Sequence, residues 1–274
     1  MDMDVVFGTF EYKKFNENTW FITAMNGSLF MYLLEGTEKA LLIDTAYGCG
    51  DLRRAIESLT DKKVIVANTH GHLDHVGGNG QWEEVYMHEN SPIDHVTLKD
   101  GPCDVSKLPF PNYKKNLIKE GYVFHLGNRD VEVIDISAHS NGSIALLDKS
   151  CRMLFTGDEI ESAQVLMYDL LPSGENSAFE LKVKLHKENM EKLIRRYDEF
   201  DYIFPGHNGA PIDKSYIMDF LKLNESILNR QASPETELNH PYIEKSELGP
   251  RLRRVRYGKA SFFVLDKDIA PYTI

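Results

Sequence analysis

Lys63-Val64-Ile65-Val66-Ala67-Asn68-Thr69-His70-Gly71-His72-Leu73-Asp74-His75-Val76-Gly77-Gly78 joins an apolar run to a cluster of histidines. Its first part is short, apolar and β-branched, the pattern of a buried strand. Its second part packs three imidazoles and a carboxylate into the six residues from His70 to His75. His70 and His72 stand two apart, so extended backbone projects them to the same side. Asp74 and His75 follow where the chain should turn towards a helix. One segment therefore offers ligands to two adjacent metal ions. Imidazole mixed with carboxylate suits a catalytic zinc that keeps a position open for water. Gly77 and Gly78 allow close backbone approach and a sharp exit. The ligands sit at the C-terminal end of a strand, where sites in α/β sheets form.

The chain has 274 residues, which fits one large α/β domain over 1–274 and a substantial core. Its formal net charge of -11 repels phosphate backbones and argues against nucleic acid as a partner. The one dense basic run, Arg251-Leu252-Arg253-Arg254-Val255-Arg256, reads as a solvated strand face rather than a binding patch. Cys49, Cys103 and Cys151 are far apart, odd in number and without a Cys-x-x-Cys pair. That argues against a disulfide framework and for a reducing, cytoplasmic setting. Met1-Asp2-Met3-Asp4 opens no apolar leader. No apolar run reaches membrane-spanning length, so no membrane is expected as a partner.

Further elements follow from pattern. Residues 19 to 34 read as two strands around Asn26-Gly27, a hairpin turn signal. Ala40-Leu41-Leu42-Ile43 is a buried strand ending in Asp44, and 49 to 60 has helical spacing. A strand at 85 to 88 and a helix near 91 to 98 come next. Residues 99 to 121, with Gly101, Pro102, Pro109 and Pro111, read as a long loop of the kind used for binding. Strands resume at 122–126, 131–137, 143–148 and 152–156. An irregular segment at 159–177 precedes a helix at 178–197, a strand at 201–204 and a helix at 213–229. Strands near 252–257 and 260–265 end the chain, and the extension 230–274 is expected to complete the second sheet. Strand and helix alternate in two similar halves, which predicts two sheets packed together with helices outside.

Three more ligand-type residues stand at strand ends. His139 follows Val131–Ile136, Asp158 follows Met153–Gly157, and His207 follows Tyr202–Gly206. With the first motif they make seven ligands: three for one metal, three for the other, and one shared carboxylate. The set resembles the metallo-β-lactamase superfamily, with its His-x-His-x-Asp-His motif and three later ligands. The resemblance implies an α/β (α+β) fold, a four-layer αβ/βα sandwich of two mixed β-sheets flanked by helices. It implies that His70, His72 and His139 hold one metal, that Asp74, His75 and His207 hold the other, and that Asp158 bridges. Asp44 matches the family's buried aspartate that orients the motif loop, its other reading being a turn or cap residue. Ser143 matches a small polar supporting position, and a serine at a strand start is the plainer reading. His88, His95, His125, His186 and His240 have no motif context and read as ordinary surface or core residues.

The resemblance implies two zinc ions, with iron or manganese as alternatives, and a hydroxide between them that attacks a small-molecule ester, lactone, thioester or amide. Asp74 would bind metal and take a hydrogen bond from that hydroxide. His72, where the redox di-iron branch has Glu, favours zinc hydrolysis. The alternatives are an iron-dependent redox or dioxygenase enzyme on the same fold, and a non-catalytic metal-binding protein. The run Glu159-Ile160-Glu161-Ser162 stands where glyoxalase II-type enzymes usually show Gly-Cys-Gly-Arg, which points away from their glutathione substrate. Val165, Leu166, Met167, Tyr168, Leu170 and Leu171 would line an apolar pocket, or else pack on the sheet or form a homodimer contact. Tyr168 is the candidate donor to a developing oxyanion, and simple packing is its alternative.

Overall fold

The strand that leads into the histidine motif lies inside a seven-stranded sheet of a computed structural model. The structure describes residues 9–24, 26–91, 103–104, 107–168, 179–235 and 251–272. By its internal contacts the chain divides into two units, Met1–Asp135 with Ser140–Gly157, and Ile136–His139 with Asp158–Ile274. The fold is mixed α/β, with several mixed sheets and helices.

In the first unit the large sheet runs in chain order through β1 (Glu11–Asn16), β2 (Thr19–Ala24), β3 (Leu29–Glu35), β4 (Lys39–Ile43), β5 (Lys63–Ala67), β6 (Glu84–His88) and β7 (Lys114–Ile118). Pairing is antiparallel from β1 to β4 and parallel from β4 to β7. Parallel neighbours must be buried on both faces, and β4 is accordingly Lys-Ala-Leu-Leu-Ile, buried after its first residue. The turn between β2 and β3 carries Asn26 and Gly27 at φ +55° and +84°, as the Asn-Gly signal requires. Helix α1 (Leu52–Glu57) starts on Asp51, whose carboxylate accepts from the Arg54 N–H.

A second set of strands in this unit, β8 (Val123–His125), β9 (Asp130–Asp135), β10 (Ile144–Asp148) and β11 (Met153–Gly157), pairs antiparallel throughout. Arg129, in the β8–β9 turn, ties this set to the first sheet. It meets Asp148 at 2.6 Å and donates to the Asn18 carbonyl and to Thr19 Oγ1. Both charges are buried.

In the second unit β12 (Val165–Leu166) pairs parallel with β17 (Ala260–Leu265), which pairs antiparallel with β16 (Leu252–Tyr257), which pairs with β15 (Pro234–Glu235). β13 (Tyr202–Pro205) and β14 (Ile212–Asp213) form a hairpin. Two helices, α3 (Phe179–Ile194) and α4 (Tyr216–Leu228), complete this unit's main elements.

Several expectations shift. The C-terminal strands do not complete the second sheet. They build a sheet of their own with β12 and β15, elements of two residues that carry no readable periodicity. The loop expected over 99–121 contains β7, whose Lys-Lys-Asn-Leu-Ile has too many charges to read as a strand. Of the helix expected at 91–98, residues 92–98 lie outside the described residues, as do 169–177 of the second irregular segment. Cys49 and Cys103 are paired as a disulfide, with Cα atoms 5.4 Å apart across 54 residues of sequence. Spacing along the chain does not reveal such a pair, and the cysteine count no longer argues for a reducing compartment. In the basic run Arg253 meets Asp266, and Arg254 and Arg256 meet Glu235. No described helix is long and apolar enough to cross a membrane.

Candidate metal centre

In the first unit the motif begins directly after β5. Asn68, Thr69 and His70 follow the end of the strand, His72 stands at the N-cap position of α2 (Leu73–Val76), and Asp74 and His75 lie within that one helical turn. The turn closes against the segment after β4. A Cβ added at Gly77 would come 2.4 Å from the Tyr47 carbonyl oxygen, so only glycine fits there. Gly157, just before Asp158, is at φ +52° and a Cβ there would meet Thr69 Oγ1 at 2.5 Å.

Asp44 organises the motif. Its Oδ1 accepts from the Thr69 N–H at 2.8 Å, and its Oδ2 accepts from Thr69 Oγ1 and from His75 Nδ1, each at 2.8 Å. The aspartate is buried and sits at φ +64°, a conformation that Asp and Asn adopt more readily than most residues. These bonds settle two tautomers. A carboxylate only accepts, so His75 carries its proton on Nδ1 and keeps the Nε2 lone pair. The Thr69 hydroxyl spends its proton on Asp44, so its oxygen accepts from His70 Nδ1, 3.1 Å away, and His70 Nε2 keeps its lone pair. His70 Nε2 and His72 Nδ1 lie 3.0 Å apart, close to the roughly 3.3 Å between two nitrogen ligands of one tetrahedral zinc. Asp74 Oδ2 is 3.8 Å from His75 Nε2.

A buried amide network supports the turn. Thr45 Oγ1 and Asn68 Nδ2 both donate to the His75 carbonyl, and Asn79 links Asn68 to Tyr113. Burial, and secondly the Asp44 charge, raise the Tyr32 hydroxyl well above its usual pKa, so it stays neutral.

In the second unit Asp158 Oδ2 stands 3.8 Å from His139 Nε2 and 3.5 Å from His207 Nε2. One carboxylate oxygen thus lies near two imidazole nitrogens, the relation a shared ligand needs. His139 Nδ1 donates to the Leu166 carbonyl at 2.8 Å, which again leaves the ring's lone pair on Nε2. A His and Asp donor set of the kind that holds metal is therefore present.

Ser143 donates to the Ser140 carbonyl at 2.9 Å within its own turn, just before β10. Tyr168 is 5% exposed. It packs with Leu166, Leu252, Phe263 and Leu265. Sequence reasoning missed two buried charged residues. Glu159 Oε1 accepts from the Ala138 and His139 N–H groups at 2.9 and 2.7 Å, and Lys182 Nζ donates to the His139 carbonyl at 3.4 Å. Glu159's place beside Asp158 was the only signal. A lysine in a helix carries none.

The comparisons agree with this geometry. The family model described as metallo-beta-lactamase superfamily matches residues 27–229. The chain belongs to that superfamily, and its class is that of the metal-dependent hydrolases. Among curated relatives, it is 26% identical to acyl-coenzyme A thioesterase MBLAC2 of Homo sapiens over 211 residues, 65% of this chain and 72% of that protein. It is 27% identical to the cytoplasmic hydroxyacylglutathione hydrolase of Saccharomyces cerevisiae over 191 residues, 66% of this chain and 64% of that protein. Among solved structures, a metallo-beta-lactamase from Pontibacter korlensis aligns with TM-score 0.56 at 20% identity, covering 79% of this chain and 99% of that one. Rubredoxin oxygen:oxidoreductase from Desulfovibrio gigas aligns with TM-score 0.54 at 17% identity, covering 79% of this chain and 62% of that one. At such identities the solved structures speak for the fold alone.

Proposed function

We propose that this protein is a dinuclear zinc hydrolase acting on a thioester, an acyl group carried on a small thiol. His70, His72 and His139 would hold one ion, Asp74, His75 and His207 the other, and Asp158 both. The observation that carries the reading is the commitment of Nδ1 on His70, His75 and His139 to oxygen acceptors. Three histidines whose Nδ1 protons go to oxygen acceptors carry the lone pair on Nε2, the tautomer that a metal ligand needs, and this supports the reading. When bound, the metal pair supplies Lewis acidity and a water activated at neutral pH.

The chain's own residues do the rest. Asp44 keeps the motif's imidazoles in the ligating tautomer. Asp74, whose side chain is 22% exposed, would bind metal and take a hydrogen bond from the attacking water. A departing thiolate, with a thiol pKa of about 8.5, needs no strong general acid, and no described group is required to supply one. Ser143 is read as a strand-start residue that shapes the turn after His139. The packing of Tyr168 favours a structural part for its ring over oxyanion donation.

Thioester is preferred among esters, lactones and amides because acyl-coenzyme A and hydroxyacylglutathione, named for two relatives, both carry the acyl group on sulfur. Cleavage of acyl-coenzyme A, hydroxyacylglutathione and matched oxygen esters, followed by free-thiol release, tests this. Thioester turnover that a chelator abolishes and zinc restores is expected; turnover of the oxygen esters alone would refute the substrate class.

A further inference from the structure

His139 is held at three points, all within the second unit. Its N–H donates to Glu159, its carbonyl accepts from Lys182, and its ring Nδ1 donates to the Leu166 carbonyl. The third point sets the chemistry. A carbonyl oxygen only accepts, so the bond to Leu166 holds the proton on Nδ1 and the lone pair on Nε2. The position of that carbonyl therefore decides whether His139 can serve as a ligand.

Leu166 lies in β12, a strand of two residues. So short a strand has no stability of its own. It exists through β17: Val165 and Leu166 stand opposite Phe262 and Phe263, the Met167 N–H donates to the Phe263 carbonyl at 2.9 Å, and Ser261 Oγ bonds the Ala163 carbonyl. β17 in turn pairs with β16 along its whole length. A second link runs from the same strand. The Phe262 ring lies edge-on to His186 at 5.0 Å. His186 Nε2 donates to the Glu159 carbonyl at 2.9 Å, and Glu159 is the residue that holds the His139 N–H. Two adjacent residues of β17 thus reach two of the three restraints on His139. Both belong to the β16–β17 hairpin at 252–265, beyond the 27–229 matched by the family model.

We propose that the C-terminal hairpin β16–β17 is a positioning element of the metal centre, which sets the tautomer and aim of His139 through the Leu166 carbonyl. The proposal rests on the reading of His139 as a ligand. It gives the segment outside the family match a defined part in ligand binding.

The test compares Met167→Pro, which removes the N–H bonded to Phe263, with Met167→Ala, which removes the side chain and keeps that N–H. Zinc affinity is read by competition with a chromophoric chelator. The His139 tautomer is read by long-range proton–nitrogen NMR of the metal-free full chain. Met167→Ala should keep the Nδ1–H signature and the parent's affinity. Met167→Pro should show a mixed tautomer and roughly 10- to 100-fold weaker zinc binding, as loss of a partner behind a ligand does. Should Met167→Pro not fold, Phe263→Val carries the same test, since it loosens β17 against Leu166 while keeping the strand. A folded Met167→Pro or Phe263→Val protein with the parent's tautomer and affinity overturns the proposal. His139→Ala separates the two readings: parent-like zinc binding there would refute the ligand assignment itself.

Discussion

Asp44→Asn isolates the residue that holds Thr69 and His75 in the arrangement the proposed metal site needs. Asn tolerates φ near +64°, so the backbone keeps its shape and the change is confined to one oxygen and one charge. The carboxylate accepts three hydrogen bonds, each of 2.8 Å. An amide cannot accept all three. If its NH2 faces the Thr69 backbone N–H, two donors oppose each other in a buried site. If it faces His75 instead, the imidazole must move its proton to Nε2 and is lost as a ligand. Either way one charge-assisted bond becomes a conflict, which costs about 1–3 kcal/mol. The metal-free variant should lose that much stability in urea. Its zinc affinity in chelator competition should fall roughly 10- to 100-fold. A folded Asp44→Asn protein with the parent's affinity and stability would refute the account of Asp44 as the organiser of the motif.

Three further outcomes are expected. Arg129→Met strands Asp148 as a buried charge and should cost about 3–5 kcal/mol in thermal or urea unfolding; adding Asp148→Leu should recover part of it, and no loss would show that the pair is not buried in solution. His186 is held near pKa 4 by burial, below the 6.5 of an ordinary imidazole. The unfolded chain therefore binds the extra proton first, and stability should fall by about 3 kcal/mol as pH drops from 6.5 to about 4. His186→Gln can keep both hydrogen bonds without titrating, so its stability should vary less with pH over that window; an unchanged slope would remove His186 from the account. Tyr168→Phe keeps the ring in its apolar cluster and should leave kcat within about 3-fold of the parent, whereas an oxyanion donor would cost on the order of 100-fold.

The candidate ligands His70, His139, Asp158 and His207 were legible because each follows an apolar strand into a turn, and strand patterns survive in sequence. Val64 to Ala67, Val131 to Ile136, Met153 to Phe155 and Tyr202 to Phe204 announce where His70, His139, Asp158 and His207 must stand. Asp44 was legible for the same reason, at the end of Leu41-Leu42-Ile43. What supports them was not. Thr69 draws its importance from a hydroxyl shared between Asp44 and His70, a contact that exists only in the folded chain. Glu159 and Lys182 look like ordinary surface charges until burial is known. β12 and β15 are too short to carry a period, so the separate C-terminal sheet could not be anticipated. β1, Glu11-Tyr12-Lys13-Lys14-Phe15-Asn16, is exposed along most of its length and has no buried face to mark it.

The metal content of the full chain, purified without added metal, is the decisive measurement for the proposed dinuclear site. The account predicts about two zinc ions per chain, most of it lost in a folded Asp158→Ala variant. Iron at one equivalent, or an Asp158→Ala protein that retains the parent's metal, would contradict it.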